Sequence, residues 1–273
     1  MKLSLYTFVR NGLVQDYHVV DMLRHHVPFA DEIVVHEGYS TDGTYDAIRN
    51  IDPKIHIFRS DWDVNTGMNF AVRFKDDARK KCTGDWCILL DCDEFIPEWE
   101  FDAIRARLKA ADATTFPATL LNFYGNYKVL NVEPDRFRWP GVKVLAHRNR
   151  PDIEVWGDGS SVRQQGVAVQ MNPAESLFTC HHFGFVRNAA RLREKWRNMR
   201  GRLYNAARPR FPMPSFLFNL FPHRWADPEY LPYLRTYDGP YVKAVRDNPA
   251  EFVRDGFQLY DYLKQQTVPV LAI

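Results

Sequence analysis

At 273 residues the chain can form one large domain, or a domain with a substantial appendage, around a real buried core. Its 45% hydrophobic and 26% charged content is ordinary for a globular protein, with no internal repeat or low-complexity segment. The formal net charge of +2 excludes little by itself, but no apolar stretch approaches the roughly 20 residues of a membrane span.

The opening residues reach Arg10 and Asn11 too soon for a secretion signal and read as a first buried strand. Short β-rich runs at 3–9, 32–36, 55–58 and 86–90 alternate with amphipathic stretches at 15–26, 41–50 and 68–81. That alternation implies right-handed crossovers and an α/β fold, with a mainly parallel sheet and helices on both faces. After Pro97 come a helix at 98–111, β-rich stretches at 114–124 and 141–147, and a loop-rich segment at 150–173. The run 176–186 follows, then a strongly basic helix from 188 to about 204 and a tail rich in proline and aromatics. Residues 237–240 and a last helix over 249–265 read as a terminal cap. Cys82, Cys87, Cys92 and Cys180 have neither zinc-site nor disulfide-scaffold spacing. Cys87 and Cys92 are expected to pack as small apolar groups, and a reducing, cytoplasmic setting is the default.

Ligands of parallel sheets bind beyond the carboxyl ends of the strands, and the polar residues gather there. Arg10 and Asn11 follow the first strand, Glu37 the second, Asp61, Trp62 and Asp63 the third, and Asp91, Cys92 and Asp93 the fourth. Two carboxylates one residue apart at a strand mouth make a hard, oxygen-rich site suited to a divalent cation carrying a diphosphate. An isolated Asp-x-Asp is more often a turn-forming acidic cluster, so the other three strand ends carry much of the weight.

Val34-Val35-His36-Glu37, followed by Ser40-Thr41-Asp42-Gly43-Thr44, resembles the nucleotide-recognition element of family 2 glycosyltransferases of the GT-A fold. Residues 65–69, Arg73 and Lys75, Thr83-Gly84-Asp85-Trp86 and Asp91-Cys92-Asp93-Glu94 resemble the segment leading into that family's metal-binding carboxylates. The likeness covers residues 2–94 well, is patchy to 186 and weak beyond. It departs at Glu37, where aspartate is usual, and at Tyr39, where glycine is usual, the glycine being displaced to position 38. On its own, Asp42 reads as the cap of the following helix.

The resemblance implies a Rossmann-like GT-A domain over 1–186, with a nucleotide-binding half (1–97) and an acceptor half (98–186), and a basic, aromatic C-terminal extension (187–273) packed on it. It implies a nucleotide-sugar donor, Mn2+ or Mg2+, and inverting transfer to a hydroxyl acceptor, most often in surface glycan or lipopolysaccharide assembly. Arg10, Glu37, Asp61, Arg73 and Asp91 would then face the donor. Asp93 would hold the metal, with Asp91 near the ribose or metal, and Glu94 would orient them. His182, in the His-Phe-Gly run, would be the late metal ligand, with His181 as its alternative, because neighbours in an extended run face opposite ways. Removing the acceptor proton needs a base: Asp158, between Gly157 and Gly159 and beside Trp156, with Glu154 as the alternative. A nucleotidyltransferase would need a glycine-rich basic loop after the first strand, which residues 8–12 lack; a non-catalytic sugar-nucleotide-binding protein would not need the Asp91, Asp93 and His182 set.

Residues 187–210 hold nine basic side chains against one acid, Glu194, so this segment carries +8 and the remainder −6. Leu192, Trp196, Met199 and Leu203 share one helical face, leaving arginines outward. An anionic acceptor (a lipid diphosphate, phosphorylated glycan or modified nucleic acid) and contact with the inner face of a membrane are compatible with this. Four phenylalanines at 211–222 suit burial, a lid or a homodimer surface.

Overall fold

The computed structural model describes residues 1–62, 69–132, 141–157, 159–187, 190–192 and 231–266. The chain divides into two compact units, Met1–Leu120 with Pro140–His181, and Leu121–Trp139 with His182–Ile273. Strands over 115–124 and 179–185 each span a position in the sequence where the units divide.

In the first unit, strands β1 (Leu3–Val9), β2 (Glu32–Glu37), β3 (Ile55–Arg59) and β4 (Trp86–Leu89) fall within a residue of their expected bounds. They lie side by side in the order β3-β2-β1-β4, all parallel. Leu3, Leu5, Ile33, Val35, Trp86 and Ile88 are fully buried, as strands covered on both faces require. Helices α1 (Val19–His26), α2 (Thr44–Ile48) and α3 (Asn69–Arg79) make the crossovers. The chain moves outward from β1 to β3, then returns past β1 to β4. Right-handed crossovers in opposite directions put α3 on the face opposite α1 and α2. This is the α/β, Rossmann-like arrangement of parallel strands and crossover helices expected from the sequence.

Two helices are shorter than their periodicity suggests. Asn11 and Asp16 both have positive φ, and the backbone turns Gln15 N–H to Asn11 O and Tyr17 N–H to Gly12 O hold residues 11–17 out of α1. Gly43, at φ 88°, stops α2 from starting before Thr44, whose N–H and hydroxyl both donate to Asp42.

Beyond β5 (Glu94–Phe95) and α4 (Phe101–Ala110), β6 (Thr115–Tyr124) pairs antiparallel with β8 (Val142–Arg148), and β8 pairs antiparallel with β4. The mainly parallel character thus belongs to β1–β4. The segment expected to be loop-rich is a three-stranded antiparallel sheet of β9 (Ile153–Trp156), β10 (Ser161–Gln164) and β11 (Val167–Ala168). Ile153, Val155 and Val162 alternate inward along it, and Gln165-Gly166, both at positive φ, form the two-residue hairpin turn. The period-2 apolar residues and that turn were the signal to read.

The second unit holds the end of β6, β7 (Asn126–Asn131), β12 from His182 on (the whole strand being Thr179–Phe185), β13 (Leu234–Thr236), α5 (Lys243–Asp247) and α6 (Gln258–Gln265). Tyr124, Val129, Phe185, Leu192, Leu234, Leu259 and Leu263 form its core. The expected last helix is broken after Phe252, with Gly256 and Phe257 at positive φ. Asp255 ties this break down: its carboxylate accepts both contacts of the Asn126 amide (3.0 and 3.1 Å) and the N–H groups of Phe257 and Leu259. Asp255→Ala orphans several buried donors, and urea unfolding is expected to show a loss of about 3 kcal/mol.

Of the expected basic helix only Ala190–Leu192 is described, and it is helical; Arg193 to Arg210 and the phenylalanine-rich 211–222 lie outside the described residues. Among the described residues, no helix is long and apolar enough to cross a membrane. All four cysteines are free and buried.

Candidate active site

The strand order reverses between β1 and β4, so the crevice beyond their carboxyl ends is where a parallel sheet of this kind receives ligands. The loops after β1 and β2 are stitched together there. Asn11 N–H donates to Ser40 Oγ (2.8 Å), Thr41 N–H to Asn11 Oδ1 (2.8 Å), and Val14 N–H to Asp42 (2.8 Å). Asp42 is thereby occupied as a loop and helix cap.

Glu37 is fully buried. Its Oε1 accepts from Ser40 N–H (2.6 Å), and its Oε2 from Tyr39 N–H (3.1 Å) and Arg59 Nε (2.6 Å). The Arg59 guanidinium also stacks between the rings of Tyr39 (4.5 Å) and Tyr45 (4.2 Å). Glu37 therefore fixes the turn, and the exposed group it presents is Tyr39, 45% accessible and at φ 49°. Gly38 has a packing reason. A Cβ there would lie 2.5 Å from Trp62, whose ring stacks on Phe8 and Phe74. Gly38→Ala must displace that indole, and a loss of about 1–3 kcal/mol is expected in chemical denaturation. Arg10 donates to Trp62 O (3.3 Å), and Asp61 is exposed beside it.

At the mouth of β4, Asp91 is ion-paired through Oδ1 to Lys75 Nζ (2.7 Å) and through Oδ2 to Lys143 Nζ (3.1 Å). Lys143 also pairs with Glu94, whose Oε2 accepts Asp91 N–H at 2.9 Å. Lys75, Lys143, Asp93 and Glu94 are buried, while the Asp91 side chain stays 26% exposed. Burial would raise the Asp91 pKa, but the two ammonium groups overturn this and hold it well below the usual carboxylate range. Glu94 shifts the other way: burial, reinforced by the Asp91 charge and opposed by Lys143, pushes it up.

Of Arg73 and Lys75 on α3, Lys75 reaches the carboxylates, whereas Arg73 is exposed on the helix surface. Lys143 was not singled out from the sequence. The β4–β8 register runs from Trp86–Arg148 to Ile88–Ala146. Three residues further along, that antiparallel register sets Lys143 opposite Asp91. Only knowledge of this pairing would have found it. Lys75 also donates to Gly159 O (3.0 Å), and a Cβ at Gly159 would lie 2.6 Å from its Cδ. Gly159 is thus anchored to the Asp91 cluster; Asp158 lies outside the described residues. Glu154 is paired with Arg163 (2.8 and 2.9 Å), which lowers its pKa and makes it a weaker base. Trp156 is 44% exposed beneath the Arg163 guanidinium.

The expected metal set is divided between the units: Asp91 and Asp93 belong to the first, His182 to the second. Within the second unit, His182 Nδ1 lies 2.6 Å from Asn122 Oδ1, so Nδ1 carries a proton and donates it there. His181, in the first unit, is buried beside Trp99. Burial, helped by His25, drives its pKa down to about 3. Among the described residues, no group of three or more His, Cys, Asp and Glu side chains is gathered as a metal site. The chemistry of the β4 mouth nevertheless fits a hard divalent cation. It offers carboxylate oxygens, and Asp91 already draws two positive charges.

No family model matches the chain, and no curated protein matches it. Among solved structures, it is similar to residues 1–349 of S. aureus TarS in complex with UDP-GlcNAc, at 13% identity and a TM-score of 0.44, over 97% of this chain and 78% of that one. It is also similar to glucosyl-3-phosphoglycerate synthase from Mycobacterium tuberculosis with Mn2+, UDP and phosphoglyceric acid (17%, TM-score 0.32, 45% of this chain and 43% of that one). A third is a mannosyltransferase from Pyrobaculum calidifontis with GDP-Man and Mn2+ (19%, TM-score 0.33, 45% and 36%). The chain spans less than half the length of these last two.

Proposed function

We propose that the chain is a metal-dependent, inverting glycosyltransferase that moves a sugar from a nucleotide-sugar donor to a hydroxyl acceptor. The observation that carries this reading is the cluster of Asp91 and Glu94 with Lys75 and Lys143 at the point where strand order reverses. Such a cluster offers carboxylates to a cation and ammonium groups to a diphosphate. When bound, Mn2+ or Mg2+ would neutralise the charge that develops on the leaving diphosphate. Asp91 and Asp93 would hold it, with His182 as a further candidate ligand. Arg10, Asp61 and Arg73 are donor-side candidates, and Glu37 contributes by fixing the turn that presents Tyr39. Asp158 is proposed as the base that takes the acceptor proton, ahead of the Arg163-bound Glu154.

The test is release of UDP or GDP from a panel of sugar nucleotides with and without Mn2+ and Mg2+. Cation-dependent release from one donor is expected. If no donor is bound or turned over with either metal, the reading fails. We place the acceptor in surface glycan or lipopolysaccharide assembly in a cytoplasmic setting, consistent with the four free cysteines. The basic segment 187–210 favours an anionic acceptor. Neutralising Arg193 and Arg197 should then flatten the salt dependence of acceptor binding.

A further inference from the structure

We propose that Lys75 and Lys143 are resident counter-charges that make a divalent cation and a nucleoside diphosphate bind to this rim as a coupled pair. The proposal rests on the nucleotide-sugar reading above and says how that site is regulated. Two ammonium groups from different elements, α3 and β8, lie 2.7 and 3.1 Å from the two oxygens of one carboxylate. Both lysines are more than nine-tenths buried, so neither can leave its anion without finding another. Asp91 is the partly exposed member, and through it the cluster meets solvent.

The balance of charge gives the consequence. Lys75 and Lys143 stand with Asp91 and Glu94, two ammonium groups against two carboxylates. A cation arriving alone must displace ammonium groups from Asp91 and then sit beside them as like charge. A diphosphate arriving alone is drawn by the lysines but repelled by the carboxylates. Arriving together, each removes the other's penalty: the carboxylates turn to the cation and the lysines to the phosphates. The reciprocity of coupled binding requires each ligand to tighten the other by the same factor. The arrangement would also keep Asp91 ionised and compensated between turnovers, without a standing metal.

Calorimetric titration with Mn2+ alone, UDP or GDP alone, and each nucleotide in the presence of Mn2+ tests this in the wild-type protein, Lys75→Met and Lys143→Gln. In the wild type, the nucleotide should tighten Mn2+ binding by about tenfold or more, and Mn2+ should tighten the nucleotide equally. In either variant, Mn2+ alone should bind about tenfold more tightly, the nucleotide alone should bind more weakly, and the coupling should shrink. Mn2+ binding that is unchanged or weaker in folded variants overturns the proposal. If both variants fail to fold by circular dichroism, the lysines are a structural clamp, and the proposal is likewise overturned. Nucleotide binding without coupling in the wild type sinks this proposal alone. Failure of both UDP and GDP to bind with Mn2+ present sinks the nucleotide-sugar reading as well.

Discussion

Asp93→Asn should lower nucleoside diphosphate release by about 10²–10³-fold, the range for losing one electrostatic stabiliser of a developing charge. Asp93 is 4% exposed and is separated from Asp91 by Cys92 alone at the mouth of β4. The substitution keeps shape and volume and removes only the negative charge, so circular dichroism should remain that of the wild type. If the charge holds a cation, raising Mn2+ should recover part of the lost rate, because the defect then lies partly in cation occupancy. A variant that turns over like the wild type would remove Asp93 from the metal site. A variant whose defect ignores Mn2+ would give it a structural role instead.

Lowering the pH should destabilise the protein well before its carboxylates titrate, and His147 should be a main cause. This imidazole is fully buried on β8. Nδ1 donates to Arg148 O (2.9 Å), and Nε2 accepts from the Tyr6 hydroxyl (3.0 Å). Both nitrogens are therefore satisfied only in the neutral ring. Burial drives the pKa down to about 4, against about 6.5 in an unfolded chain. Between those values the unfolded state binds the proton and the folded state does not. Stability is therefore fully present above about pH 6.5 and falls as the pH drops toward 4. At about 1.4 kcal/mol per pH unit, the full loss is about 3 kcal/mol. His26 adds to it. Nδ1 donates to Met22 O, Nε2 accepts from Ile96 N–H, and burial holds its pKa well below the ordinary value. Urea midpoints at pH 7, 6, 5 and 4.5 should show the decline, and His147→Gln should remove part of the slope. An identical slope in that variant would assign the acid sensitivity elsewhere.

The four parallel strands and the residues at their carboxyl ends were legible because each depends on a local pattern. Apolar runs of four to seven residues alternate with amphipathic helices, and a polar residue follows each strand. Asp42 was readable as a cap for the same reason. Arg59 was not, because its role depends on two tyrosines reached across a loop and a strand pairing. Lys143 was not, because it meets Asp91 only through a long-range antiparallel register. Arg73, but not Lys75, stood among the donor-facing candidates, yet the turn of α3 decides which of the two reaches Asp91. The small β9–β11 sheet was hidden by its glycines and charges, which resemble a loop unless the alternation of Ile153, Val155 and Val162 is followed.

The antiparallel pairing of β4 with β8 also bears on how the site comes into being. Asp91 and Lys143 stand 52 residues apart in the chain. A fragment ending near residue 97 would carry all four parallel strands but leave the Asp91 and Glu94 carboxylates without their shared ammonium group. Such a half-domain is expected to be a poor independent folding unit and no minimal enzyme. Loop closure over that distance is slow compared with forming the local βαβ units. The rim should therefore gain its final charge balance late, when β8 docks, so that a chain with a completed site is also one whose sheet has finished assembling.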